Sequence, residues 1–112
     1  MRIGAAQIPV TTNVEDNLKN ILEACDWAVK NKLDYLLTPE CALSGYDTMS
    51  WNLNTCGPTE QAMEKLKEYS RDTGLGLAIG TLWIYDKDKQ GMGFGNGIHR
   101  NQLTFIQKGK II

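Results

Sequence analysis

Between residues 2 and 85, apolar runs too short to be helices alternate with amphipathic stretches, and that alternation points to a layered α/β fold with buried strands under helices. Arg2-Ile3-Gly4-Ala5-Ala6-Gln7-Ile8-Pro9-Val10 is small, apolar and closed by a proline, so it reads as a buried strand. Thr12 and Glu15 then stand at capping-box spacing before Val14, Leu18, Ile21, Leu22, Cys25 and Val29, which recur at helical period. The spacing predicts a helix with one buried stripe, ending near Asn31. Asp34 to Pro39 is a second short strand, stopped by Pro39, which has no amide hydrogen for an internal ladder. Pro58 and Thr59 open a second predicted helix carrying Met63, Leu66 and Tyr69, with Gly74 as its stop. Gly76 to Tyr85 is a third strand. Asp86 to Gly97, with glycines at 91, 93, 95 and 97, reads as an exposed, mobile connection. Asn101 to Gln107 is a fourth strand, and Lys108-Gly109 turns it into a last short one, Lys110-Ile111-Ile112.

Charge narrows the functions this frame can carry. Lys and Arg total 12 against 13 Asp and Glu, a formal net charge of −1, so a polyanion-binding surface is not expected and nucleic acid is excluded as a partner. With 42% hydrophobic and 22% charged residues in 112, the chain suits one globular unit of roughly 13 Å radius of gyration. No linker or repeat divides it. The longest apolar run, Leu75 to Tyr85, holds two glycines and falls well short of the ~20 residues a membrane helix needs, so no membrane partner is expected. Gln7 and Pro9 interrupt the N-terminal stretch before a signal-peptide core forms, and the expected location is cytoplasmic. Cys25, Cys41 and Cys56 are odd in number and lack CxxC spacing, which argues for free thiols over disulfides or a structural zinc site. His99 is the only histidine and has no ligand cluster near it, so no metal is expected.

Folds of this class place ligands beyond the carboxyl ends of their strands, which makes Glu40 the first candidate. An apolar strand delivers its carboxylate to the sheet edge, where partial burial would suit a general base. A solvated loop carboxylate is the other reading of the same residue. The loop from Cys41 to Gly57 is polar but carries Tyr46 and Trp51, a composition typical of a pocket wall, and Tyr46 is its candidate substrate contact. Trp27 and Trp83 read as core or subunit contacts.

The run Leu36-Leu37-Thr38-Pro39-Glu40 followed by Ser44-Gly45-Tyr46, with Gln7 before it and Gly57-Pro58-Thr59 after it, resembles the nitrilase superfamily of carbon–nitrogen hydrolases. Leu77-Ala78-Ile79-Gly80-Thr81 is similar to that family's glycine-ended strand, and Asn101 to Ile112 to its Asn-bearing hairpin. The resemblance spans essentially the whole chain. It implies the N-terminal part of an α-β-β-α sandwich, an amidase-like hydrolysis of a non-peptide carbon–nitrogen bond, no cofactor, a small amide or nitrile substrate, and a homodimer or larger homo-oligomer. The family's catalytic set is Glu, Lys and Cys: the cysteine attacks, the glutamate moves protons, the lysine supports negative charge, and water releases a thioester. The resemblance maps the glutamate onto Glu40. It puts the lysine and cysteine beyond the hairpin, after Ile112, so residues 1–112 read as a partial hydrolase domain that is inactive alone. Lys108 and Lys110 precede the expected lysine and are assigned no role.

Three other readings compete. A local thiol as nucleophile would favour Cys56, just before the predicted helix start, over Cys41, because a helix dipole lowers a thiol pKa. A truncated relative would act as a non-catalytic binding or assembly module. Gly91-Met92-Gly93-Phe94-Gly95-Asn96-Gly97 invites a nucleotide-binding reading, but Asn96 stands where the third glycine of GxGxxG belongs, and a hairpin loop accounts for it better.

Overall fold

The computed structural model of the chain describes residues 1–46, 53–90 and 96–112, with side chains described for 1–46, 56–85 and 98–112. Trp51 and residues 91–95 of the glycine-rich run therefore lie outside the described residues. The order is β1 (Ile3–Ala5), α1 (Val14–Lys30), β2 (Tyr35–Leu37), α2 (Leu53–Thr73), β3 (Gly76–Gln90), β4 (Asn96–Gln107) and β5 (Lys110–Ile111). The strands form one mixed sheet in sequence order, parallel from β1 to β3 and antiparallel from β3 to β5. Two parallel crossovers of one hand that step the same way across a sheet place both helices on the same face. The core fits this. Leu18, Ile21, Cys25 and Ala28 of α1 and Ala62, Met63 and Leu66 of α2 pack on Leu36, Leu77, Ile79 and Ile106. Tyr69 Oη donates to Asp26 Oδ1 at 2.6 Å and ties the helices together.

The helix-facing row Leu36, Leu77, Ile106 is buried, and the row one residue on, Leu37, Ala78, Phe105, points the other way. Leu82 and Ile84 on that face are buried with Cys41 and Cys56, and the rest of it stays open around Leu37, Leu103 and Phe105. These three are 40%, 44% and 47% exposed on it. This is the mixed α/β layer that the alternation predicted, with part of one face of its sheet open.

Several boundaries move from their predicted places. The first strand is three residues rather than nine, because only Ile3 to Ala5 find a partner in β2. The cap of α1 is Asn13, not Thr12: Asn13 Oδ1 accepts from the Asp16 N–H at 2.9 Å. Val29 is exposed and Ala28 takes the buried position at the end of the stripe. Trp27 is 58% exposed, outside the core, while Trp83 packs against it.

The second helix begins at Leu53, so Pro58 lies inside it and Cys56 sits within its first turns rather than ahead of its start. A proline there removes one ladder hydrogen bond. Burial of Cys56 against Leu82, Ile84 and Cys41 offsets that loss. The third and fourth strands also run further than their apolar residues suggest, to Gln90 and from Asn96, with a register shift between Tyr85 and Gln90. Pairing across an antiparallel ladder extends strands through polar sequence, since each backbone meets the hydrogen-bond needs of the other.

Candidate active site

Glu40 lies just past the carboxyl end of β2, at the start of a turn over residues 40–44. Thr38 prolongs the ladder one step beyond Leu37: its N–H donates to the Ala78 carbonyl at 2.9 Å, and its hydroxyl accepts from the Gly80 N–H at 3.0 Å. Pro39 stops it. The Leu43 N–H then bonds the Gly80 carbonyl at 3.1 Å, and Ser44 Oγ accepts from the Leu82 N–H at 2.8 Å, so the turn takes over the edge of β3 that β2 vacates. A β-carbon at Gly80 would stand 2.2 Å from the Pro39 carbonyl oxygen and 3.0 Å from Glu40 Cα. Only glycine permits this approach.

The other side of the turn is held by α1. Asn17, fully buried, donates from Nδ2 to the carbonyls of Thr11 (2.8 Å) and Leu43 (3.0 Å), and its Oδ1 accepts from the Thr11 N–H at 2.8 Å. Gly45 has φ +81°, and a β-carbon there would lie 2.3 Å from the Thr11 carbonyl oxygen. The segment is thus fixed between α1 and β3 before any side-chain chemistry is considered.

On the open sheet face, Glu40 borders a shallow depression of about 350 Å3 with Leu37, Thr38, Gly80, Asn101, Gln102 and Leu103. Asn101 Nδ2 donates to Glu40 Oε1 at 2.5 Å. Asn101 Oδ1 in turn accepts from Cys41 Sγ at 3.6 Å. Burial, then the charge of Glu40, push the Cys41 thiol above its ordinary 9.0, with a hydrogen bond from Ser44 pulling the other way. A thiol held neutral in this way is a poor nucleophile. Cys25 is further from reactivity, fully buried and pushed up to about 12 by burial and by Asp26. All three cysteines are buried and none is in a disulfide.

The carboxylate is exposed, which agrees with the solvated rather than the partly buried of its two readings. The described walls of the depression come from β2, β3 and β4. Tyr46 is 56% exposed and is not among the described residues that line it. Asn101, Gly80 and Asn17 are the residues whose parts here the sequence reading did not assign. Asn17 had a local signal, a polar side chain within the apolar stripe of α1. Asn101 had none, since its partner is 61 residues away.

A larger depression, about 560 Å3, lies at the opposite end of the strands around Leu33, Tyr35, Gly74 and Gln107. Its one carboxylate, Asp34, is engaged by the Arg2 N–H at 2.6 Å. Among the described residues no three His, Cys, Asp or Glu side chains gather as a metal site, and no helix is long and apolar enough to cross a membrane.

The likeness to solved structures extends over the whole chain. An amidase from Nesterenkonia sp. AN1, solved with butyramide, matches with TM-score 0.77 at 19% identity over 100% of this chain and 41% of its own. A glutamine-dependent NAD(+) synthetase from Cytophaga hutchinsonii matches with TM-score 0.74 at 23% identity, over 99% of this chain and 18% of its own. Its counterpart from Acinetobacter baumannii gives TM-score 0.70 at 20% identity, over 93% and 18%. The chain therefore spans about two fifths of the amidase and under a fifth of each synthetase, and identities this low speak for the fold alone. No curated protein matches the chain. The model of the carbon–nitrogen hydrolase family matches residues 2–112, essentially the full length, and the chain belongs to that family, the nitrilase superfamily of hydrolases.

Proposed function

We propose that Glu40 is the general base of an amidase-like hydrolase, and that residues 1–112 supply this base and its sheet while a lysine and a nucleophilic cysteine come from outside them. The observation that carries the reading is a carboxylate set beyond β2 and hydrogen-bonded to Asn101 over an uncovered sheet face. Glu40 takes the thiol proton as the cysteine sulfur attacks the amide carbon, and returns it to the departing amine. It then takes a proton from the water that cleaves the thioester, leaving an acid and ammonia. The lysine stabilises the oxyanion. In a mutant of the Nesterenkonia amidase the acetamide moiety of fluoroacetamide is added covalently at the active-site cysteine, which supports a thiol nucleophile in a protein of this fold.

Tyr46, exposed beyond the turn, is the proposed substrate contact from the segment that follows Glu40. The substrate is a small amide or nitrile, no cofactor takes part, and the protein is a cytoplasmic homodimer or larger homo-oligomer. Among the described residues lining the depression there is neither a lysine nor a cysteine. Residues 1–112 alone are accordingly inactive. Ammonia release from a panel of small aliphatic amides and nitriles tests this: the full-length protein turns over at least one member and the 112 residues none. Turnover by the 112 residues that Cys41→Ala or Cys56→Ala abolishes would assign the nucleophile to a local thiol and contradict the reading.

A further inference from the structure

Cys41 adopts φ 52°, in the left-handed region that residues with a β-carbon enter infrequently. Glycine would hold the same turn without strain. The residue present instead carries a thiol, and that thiol, which also meets the Ser44 hydroxyl, donates to Asn101 Oδ1 at 3.6 Å, while Asn101 Nδ2 reaches Glu40 Oε1 at 2.5 Å. The two contacts agree on one orientation of the amide. Turned over, Asn101 would present its oxygen to the carboxylate, a repulsive contact, and its NH2 group to the sulfur, a weak acceptor, so the carboxylate fixes the orientation in which the thiol is the donor.

We infer that Cys41 is a positioning residue, whose thiol holds the Asn101 amide and, through it, the Glu40 carboxylate in place over Gly80. A single bond to the carboxylate would leave the amide free to swing with it; a second tether at the far end of the amide removes that freedom. The tether is assembled locally and across the sheet at once, since Cys41 adjoins Glu40 in sequence while Asn101 stands opposite Leu82 on β4. The thiol acts here as a hydrogen-bond donor and takes no part in bond making. The inference deepens the reading of Glu40 as general base and rests on it.

The test compares Cys41→Gly, Cys41→Ser and Glu40→Gln in the full-length protein. Cys41→Gly keeps the backbone conformation and removes the donor; Cys41→Ser keeps a donor. Hydrogen exchange of the Asn101 side-chain amide, followed by 15N NMR, rises about 10-fold or more in Cys41→Gly and stays within about 3-fold of the parent in Cys41→Ser. In kinetics with a small amide, Cys41→Gly lowers kcat about 10-fold with KM within about 2-fold, and Cys41→Ser recovers most of the loss. Unchanged Asn101 exchange in Cys41→Gly overturns the inference, as does a serine variant that behaves like the glycine one. If Glu40→Gln retains its activity, the base assignment falls instead, and the exchange measurement still decides whether the thiol holds the amide.

Discussion

At the scale of single residues, what distinguishes the Glu40 corner is how little freedom it has. Gly80 accepts the turn because it has no side chain, so Gly80→Ala forces the Pro39 carbonyl and Glu40 backbone to move. A loss of about 2 kcal/mol is expected from that overpacking. Urea unfolding would read it, and a variant within 0.5 kcal/mol of the parent, by order of magnitude, would show that the close approach is dispensable. The place of Glu40 was legible because Pro39 had to end the strand there. Its hydrogen-bond partner was not, because a pairing across 61 residues leaves no trace in local spacing. Its exposure stayed open between two readings for a related reason: the sequence told of an apolar strand but not of which face would lack a cover.

The buried thiols make a second residue-scale prediction. Cys25 goes from an ordinary 9.0 to about 12 on folding, so the native state keeps a proton that the unfolded chain gives up above about pH 9. A folded-state value raised in this way contributes stability that is complete below pH 9 and is lost as pH climbs from there toward 12. Melting temperatures between pH 8 and 11 should fall more steeply for the parent than for Cys25→Ala. Parallel profiles would mean that Cys25 ionises equally easily in both states.

At the scale of elements, α1 does more than cover the sheet. Its N-terminus carries the cap Asn13 and, one turn on, Asn17, which reaches across to Leu43. Asn13→Ala should cost about 1 kcal/mol as an ordinary lost cap. Asn17→Ala should cost more, about 2 kcal/mol, because it leaves buried carbonyls of Thr11 and Leu43 without their donor. The order of the two decides the matter: equal losses would mean the Asn17 bridge adds nothing to the turn. The helical period made α1 legible to within a residue or so of its ends, since its apolar stripe, apart from Val29, agrees with the packing that follows. The start of α2 was misread because Pro58 favours a first helical position, a local preference that the burial of Cys56 overrides. Polar residues 86–90 gave no strand signal either, and the pairing of β3 with β4 supplied what the sequence did not announce.

For the molecule as a whole, the open face is the dominant fact. One side of the sheet is buried under two helices, while Leu37, Leu103 and Phe105 on the other stay 40–47% exposed, and Ile112 at the end is 72% exposed. Apolar surface gathered on one face, beside a short terminal strand, favours association with another apolar surface. The 112 residues alone should therefore form oligomers or aggregates in sedimentation at high concentration, and charged replacements on that face, Leu103→Lys with Phe105→Lys, should reduce them. A monodisperse monomer that unfolds cooperatively would mean that the sheet tolerates its open face, and would favour a self-sufficient module.

The Glu40 depression lies on that same face, so catalysis and coverage meet at one place. Whether Glu40 moves the protons is read most directly from kcat of the full-length protein with a small amide, parent against Glu40→Gln, at matched secondary structure and melting temperature. The amide of glutamine keeps the shape and can still meet Asn101 but cannot accept a proton. With Glu40 as the base, kcat falls about 1000-fold or more, in the range seen when one member of a cooperating catalytic set is removed. A Glu40→Gln protein that keeps more than about a tenth of the parent kcat, a loss of less than 1.4 kcal/mol in barrier, would contradict it.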